Sequence, residues 1–210
     1  MSKTILNIVL TLMFFGLVYV LVDLIRTPID FQAQKDKRER AVATQLKKLR
    51  TAQQAYRSIT GKYANDFDTL SDVLTNGQFE IITVIGDADA GEEVIRKTSY
   101  VAAADSMAKL GINTTIDSLS HVPYGADGAE FQMEAKEIEY QSTTVQVVEV
   151  KIPWKDFMGK YADSKYKRYD AFYNPDDPTE KNYFLKFGDL NKPTLNANWS
   201  RFGKEAKKDD

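Results

Sequence analysis

Residues 4–25 read TILNIVLTLMFFGLVYVLVDLI, and the fold turns on that stretch together with the charged segment behind it. No charged side chain stands between Lys3 and Asp23. At 1.5 Å per residue a helix of roughly 19 residues covers about 28 Å, the hydrocarbon depth of a bilayer. A cleaved secretory signal has a shorter apolar core and small residues at its cleavage site. Here the run is longer, and bulky Tyr19, Val20, Leu21, Val22 and Leu24 follow where small residues would have to stand. The chain has no cysteine, which excludes lipoprotein processing. The expectation is a retained transmembrane anchor over residues 1–26.

Outward from the anchor, Pro28 lacks the N–H that a continuing helix needs, so a kink or break is expected near Thr27. Beyond it, residues 31–63 read FQAQKDKRERAVATQLKKLRTAQQAYRSITGKY. Val42, Leu49 and Tyr56 recur every seven residues with Leu46, Ala52 and Ile59 beside them, the pattern of one long amphipathic helix. Lys37, Arg40, Lys47, Lys48 and Arg50 fall on the opposite, solvated face. Gln45 and Gln53 lie in the apolar seam, which favours packing on the chain's own domain over a coiled coil. Gly61 closes the helix.

Residues 63–200 read as one α+β domain. A short helix starts at an Asp66 or Asp68 cap and runs through Leu70, Val73 and Leu74 to Asn76 and Gly77. FEIITVIG is a strand. TSYVAAADSMAKLGI reads either as a short helix ending at Gly111 or as an edge strand followed by a turn. From Leu119 the pattern is β: a turn at Gly125 to Gly128, alternation at Phe131, Met133 and Ala135, the strand TTVQVVEVKIPW, and a last strand YFLKFGDL. PWKDFMGKY opens a helix, YNPDDPTEKN is a loop, and residues 201–210 form a polar tail.

Composition narrows the chemistry. The net charge is −2, with seven basic residues against Asp36 and Glu39 between Lys35 and Arg50, and eight acids without a Lys or Arg between Asp66 and Glu93. Such segregation reads first as a solvated helix face beside a solvated loop. One histidine, His121, and no cysteine remove most metal, thiol and acid–base constellations. P-loop, GxGxxG, GxSxG and HExxH motifs are absent. The DADAGEE loop, residues 87–93, has alanine where an EF-hand needs oxygen ligands. Asp66, Asp68 and Glu134 are the carboxylates that an enzyme would have to use, and nothing in the sequence makes them converge. The basic stripe carries no interleaved stacking aromatics, so nucleic acid is not an expected partner.

The segment AQQAYRSITGKYA, with Ala52, Ala55, Tyr56, Gly61 and Tyr63, resembles the AxxAYxxxxGxY end of the long helix in pseudopilins and type IV pilin-like proteins. That resemblance implies a pilin-like fold: an N-terminal transmembrane helix continuing into an amphipathic stalk packed on an antiparallel sheet. The chain opens MSKTILNIV and lacks the early glutamate of the pilin pattern, which sets it apart from prepilin processing and pilus-style assembly. SLSHVPYGADGAEFQMEA, VQVVEVKIPW, YFLKFGDL and Asn198-Trp199 are similar to recurrent features of an uncharacterised family of single-pass envelope proteins. Members of that family accompany TonB-type motor proteins in the Gram-negative inner membrane.

The second resemblance implies a non-enzymatic accessory subunit with its domain in the periplasm, in contact with subunits of a membrane complex. The positive-inside rule taken alone points the other way, because Arg26, Lys35, Lys37, Arg38 and Arg40 follow the span; long domains translocate largely regardless of that rule. The alternative is a minor pseudopilin of a secretion or pilus system. Candidate partner contacts are Asp23 and Arg26 at the membrane edge, where Asp23 is placed to pair with Arg26, and Lys37, Arg40 and Lys47 on the stalk. No catalytic, cofactor or metal residue is assigned, and no cofactor, nucleic acid or small-molecule substrate is expected. The domain limits are 1–26, 27–62, 63–200 and 201–210.

Overall fold

A computed structural model describes residues 3–85, 95–126, 128–180 and 182–199. The first element, α1 (Lys3–Thr60), is a single helix of 58 residues with Pro28 inside it. The break expected near Thr27 is therefore absent. Proline's fixed φ is itself helical, so within a long helix it costs one hydrogen bond and a local clash, and helix on both sides holds the register. The two halves of α1 differ in surroundings. Every described side chain from Lys3 to Arg26 is exposed, and the first buried one is Phe31.

From Phe31 onward α1 is the spine of the core. Val42, Leu46, Leu49, Ala52 and Tyr56 are buried on the face that the seven-residue repeat marks out. The seam glutamines explain why this face meets its own domain. Gln53 is fully buried and spans Ala64 with both ends of its amide, Nε2 to the Ala64 carbonyl and Oε1 from the Ala64 N–H, each at 3.0 Å. Gln45 donates to the Ser118 carbonyl at 2.7 Å. Gly61, at φ +79, ends the helix in the left-handed region open to glycine, with its N–H on the Arg57 carbonyl at 2.8 Å.

Helix α2 (Phe67–Asn76) starts on Asp66, whose carboxylate accepts the Thr69 N–H at 2.7 Å, and buries Leu70 and Leu74. A two-stranded antiparallel ribbon follows, β1 (Gln78–Ile85) with β2 (Ile95–Ala102). The ambiguous stretch resolves as both readings in sequence, since β2 runs directly into α3 (Ala103–Lys109), closed by Gly111 at φ +67. α4 (Ile116–Ser120) leads to the main sheet. The acidic loop DADAGEE lies outside the described residues.

The main sheet is antiparallel, in the order β3-β4-β5: β3 (Gln132–Tyr140), β4 (Thr143–Pro153) and β5 (Phe184–Gly188). Gln141 and Ser142, both at positive φ, make the two-residue turn between β3 and β4. On the central strand Val148, Val150 and Ile152 join the core with Leu185 and Phe187 of β5, while Glu149, Lys151 and Lys186 take the other face. Gly188 permits a close approach: at φ +80, a Cβ there would stand 1.9 Å from the Val148 carbonyl oxygen. Between β4 and β5 come α5 (Trp154–Met158) and two 3-10 turns, Gly159–Tyr161 and Ser164–Tyr169, which pack on the N-terminal end of the buried half of α1. The molecule is thus α+β, with one long N-terminal helix and small antiparallel sheets.

Candidate functional site

The densest chemistry sits where residues 31–39 of α1 meet the turns after β4. Phe31, Lys35 and Glu39 follow one another at helical i,i+4 spacing and all three are buried. Phe31 stacks on Tyr166 with centroids 4.9 Å apart and meets Tyr173 edge-on at 5.2 Å. Beside it Lys35 Nζ lies 2.9 Å from Glu39 Oε2 and 3.0 Å from Asp170 Oδ2, with its ammonium 5.2 Å from the Trp154 ring centroid. Asp170 is held by the end of the second 3-10 turn and by the Phe172 N–H on its Oδ1 at 2.8 Å. Gln32 and Arg38 fasten the same contact to backbone carbonyls, those of Tyr169 and Phe157, both at 2.7 Å.

A buried ion pair is seldom worth much net stability, because desolvating the charges offsets most of their attraction; removing one partner is costly. Removal of one member of the cluster is therefore expected to cost more than the whole set contributes. The buried Tyr173 hydroxyl donates to the Tyr161 carbonyl at 2.7 Å. Burial, reinforced by Asp176 and Asp163, pushes it far above the ordinary tyrosine range, so it stays a neutral donor.

A pocket of about 140 Å³ opens next to this cluster, between α1, the end of β4 and the start of β5. Glu39 reaches it from the core side, and Trp154, Phe172 and Phe184 supply aromatic walls with Asn182 and Asn198 at the rim. Trp154 is fixed by its indole N–H on the Asn182 carbonyl at 2.7 Å. Asn198 straps the edge of β5, accepting the Lys186 N–H at 3.0 Å and donating to the Phe184 carbonyl at 2.7 Å. On the outer face of the sheet, Glu149 bonds Lys186 and, at 2.9 Å, Lys151. Desolvation tends to raise its pKa, but the hydrogen bonds from the two lysines win and hold it below the usual carboxylate range.

The five sequence-predicted contact residues are not brought together. Arg26, Lys37, Arg40 and Lys47 fall within roughly a quarter-turn of one another on the side of α1 away from the core, but about 32 Å separates the first from the last along the axis. Lys37 is engaged by the Tyr124 ring at 5.7 Å, Arg40 is exposed, and Lys47 is half-buried. Asp23 does not pair with Arg26: among the described residues its carboxylate accepts from the Thr27 hydroxyl at 3.2 Å, and Arg26 stands exposed. The solvated-face reading also fails at Lys35 and Glu39, which the sequence counts among the stalk's surface charges and the fold buries.

Asp66, Asp68 and Glu134 do not converge either. Asp66 is spent on the α2 cap, and the Thr69 N–H it accepts holds it below the usual carboxylate range; Asp68 and Glu134 are exposed. Exposed His121 pairs with Glu130 in an isolated β-bridge. Among the described residues no group of three or more metal-capable side chains gathers.

The cluster that sequence reasoning missed had a signal. Lys35 stands seven residues before Val42, and Glu39 seven before Leu46, so both continue the buried seam backward toward the anchor. No known family, curated protein or solved structure matches this chain.

Proposed function

We propose that this protein is a non-enzymatic, single-pass subunit of the Gram-negative inner membrane. It carries a pilin-like periplasmic domain on a helical stalk and serves a TonB-type energy-transducing or transport complex. The observation that carries this reading is the division of α1. Its N-terminal part is apolar, long enough to cross a bilayer and wholly exposed, whereas the part from Phe31 on is the centre of the domain. So large an apolar surface is stable only in lipid or against other apolar helices. Continuity of the helix into the core favours retention of the anchor, because cleavage would have to cut a helix whose next turns the domain is built on.

In this reading the domain's role is contact. The exposed side of the stalk with Arg26, Lys37, Arg40 and Lys47 is the surface it offers nearest the membrane. The second reading, a minor pseudopilin, is supported by the long helix laid against a three-stranded antiparallel sheet.

Purification of the tagged full-length protein in mild detergent, with mass-spectrometric identification of stoichiometric partners, separates the two. Proton-driven motor subunits are the expected result. Pilin-assembly components would move the assignment to a pseudopilin, and recovery of the protein alone would leave a free-standing anchored domain.

A further inference from the structure

We infer that a cleft beside the unpaired half of β4 takes up an extended peptide segment of a partner protein, which joins the main sheet as a fourth strand and sets an acidic side chain on Arg57. Among the described residues β5 pairs only with Glu149 to Pro153, so the first half of β4, Thr143 to Val148, has no strand on that side. Two observations fix where its backbone groups point. Tyr140 and Thr143 close the two-residue turn between β3 and β4, which makes them a hydrogen-bonded pair, and in an antiparallel ladder such pairs alternate with non-bonded ones. The odd-numbered residues of β4 therefore bond β3. On the other side Lys186, opposite Lys151, turns its N–H away from β4 to Asn198, so the even-numbered residues of β4 are the ones that face β5. At Thr144 and Gln146 the N–H and C=O groups thus point past the end of β5, and no backbone group among the described residues bonds them there.

The surroundings of that edge say what the added strand carries. A cleft of about 390 Å³ opens along Val145 to Val148, closed by Pro193 and Leu195 and bordered by Arg57 and Tyr63 from the end of α1. Side chains of an added strand alternate between the two faces of the sheet. Those on the face of Gln146 and Val148 lie toward Arg57; those on the other face meet Val145 and Val147. Arg57 is exposed, with its guanidinium 4.9 Å from the Tyr63 ring centroid and Nη1 donating to the Tyr63 hydroxyl at 2.9 Å. These contacts hold the group in place and leave its charge without a carboxylate among the described residues. Glu137, across the ladder from Gln146, is engaged by the Gln146 amide and by Lys62 at 3.2 Å. The edge itself, TTVQVV, is uncharged and rich in β-branched residues, the kind that proteins ordinarily cover or interrupt with a charge. A second copy of this chain would set TTVQVV against TTVQVV and bring no acid to Arg57, so the occupant is a segment of different sequence, acidic on one face and apolar on the other. None of this depends on which complex holds the anchor.

The test uses the full-length ¹⁵N-labelled protein in detergent. Without a ligand, the amides of Thr144 and Gln146 should exchange with deuterium about tenfold faster than those of Val145 and Val147, or more. The probe is the blocked peptide acetyl-Thr-Val-Glu-Val-Thr-amide. It should bind saturably, shift the Thr144 and Gln146 resonances and slow their exchange. Replacing its Glu by Gln should weaken binding about threefold, the effect of one exposed ion pair, and Lys should weaken it further. Arg57→Gln should erase the difference between the Glu and Gln peptides and leave the affinity of the Gln peptide as it was. A side chain on the Arg57 face belongs to a residue whose N–H points at β4, so N-methylation of the peptide's Glu should abolish binding, whereas N-methylation of its second Val should spare it. Slow exchange at all four amides, no saturable shift, equal affinity for the Glu and Lys peptides, or equal effects of the two methyl groups would overturn the inference. So would concentration-dependent protection of Thr144 and Gln146 in the protein alone, which would give the edge to a second copy.

Discussion

The Lys35 ammonium and the Asp170 carboxylate, both buried, meet at 3.0 Å and join the first helix to a turn near the other end of the described chain. Such a contact resists loss of one member far more than replacement of the whole set. Lys35→Met leaves Glu39 and Asp170 facing each other in the core and should destabilise the domain by about 3–5 kcal/mol. Lys35→Met combined with Glu39→Gln and Asp170→Asn should recover at least half of that loss. Denaturant unfolding followed by tryptophan fluorescence measures both; equal losses in the single and triple variants would show that the charges are not coupled.

Gln53 is the second buried polar group with a defined task, since both backbone groups of Ala64 depend on it. Gln53→Leu keeps the volume and removes both bonds. Two orphaned buried backbone groups at about 1–3 kcal/mol each predict a loss of at least about 2 kcal/mol, which at roughly 2–4 °C per kcal/mol lowers the unfolding temperature by about 4–8 °C or more. An unchanged melting curve would mean that water replaces the amide.

Asp66 ties the start of α2 to pH. Its folded pKa is depressed, first by the Thr69 N–H, relative to an ordinary value of 3.8. Its contribution is therefore complete above the unfolded value and is lost as pH falls through the lower, folded one. Acid unfolding should draw on this carboxylate only below about pH 4. Asp66→Ala should cost about 1 kcal/mol at neutral pH and progressively less as pH falls through the folded value, whereas the penalty of Asp66→Asn should be small at neutral pH. A pH-independent penalty for Asp66→Ala would contradict a carboxylate cap.

The cysteine-free chain makes the proposed topology directly measurable. Single cysteines at Ser2 and at Thr143, the latter exposed at the start of β4, are treated in intact cells with a membrane-impermeant thiol reagent. A periplasmic domain predicts labelling through Thr143→Cys and protection of Ser2→Cys. The reverse pattern would put the domain in the cytoplasm, as the basic residues after the span suggest when taken alone.

Where local chemistry and tertiary burial agreed, the sequence was a reliable guide. The Asp66 cap, the Gly61 stop, the alternation through Met133 and Ala135 and the apolar seam at Val42, Leu49 and Tyr56 all stand as read. Pro28 was misleading because long helical stretches on both sides of it hold the register across the lost hydrogen bond. Residues 98–112 were ambiguous because a strand running directly into a helix leaves no loop signature between them. Lys35 and Glu39 were misplaced because charge outranked periodicity in the reading. What buries them is a turn at Asp170 and a ring at Trp154, far along the chain, and nothing local to residues 31–39 announces either. The pocket was illegible for the same reason, being assembled from five separate segments.

The unbroken course of α1 through Pro28 makes the helix an index as well as a tether. With only a few residues between the last apolar turn and Phe31, and all of them helical, the azimuth of the apolar segment fixes the azimuth of the domain. A helix that grips one flank of the apolar half thereby decides which flank of the domain is turned toward it. Rotation of that half about its own axis would sweep the sheet and its pocket around with it, and Pro28, which has no N–H to bond, marks the point where such coupling yields first.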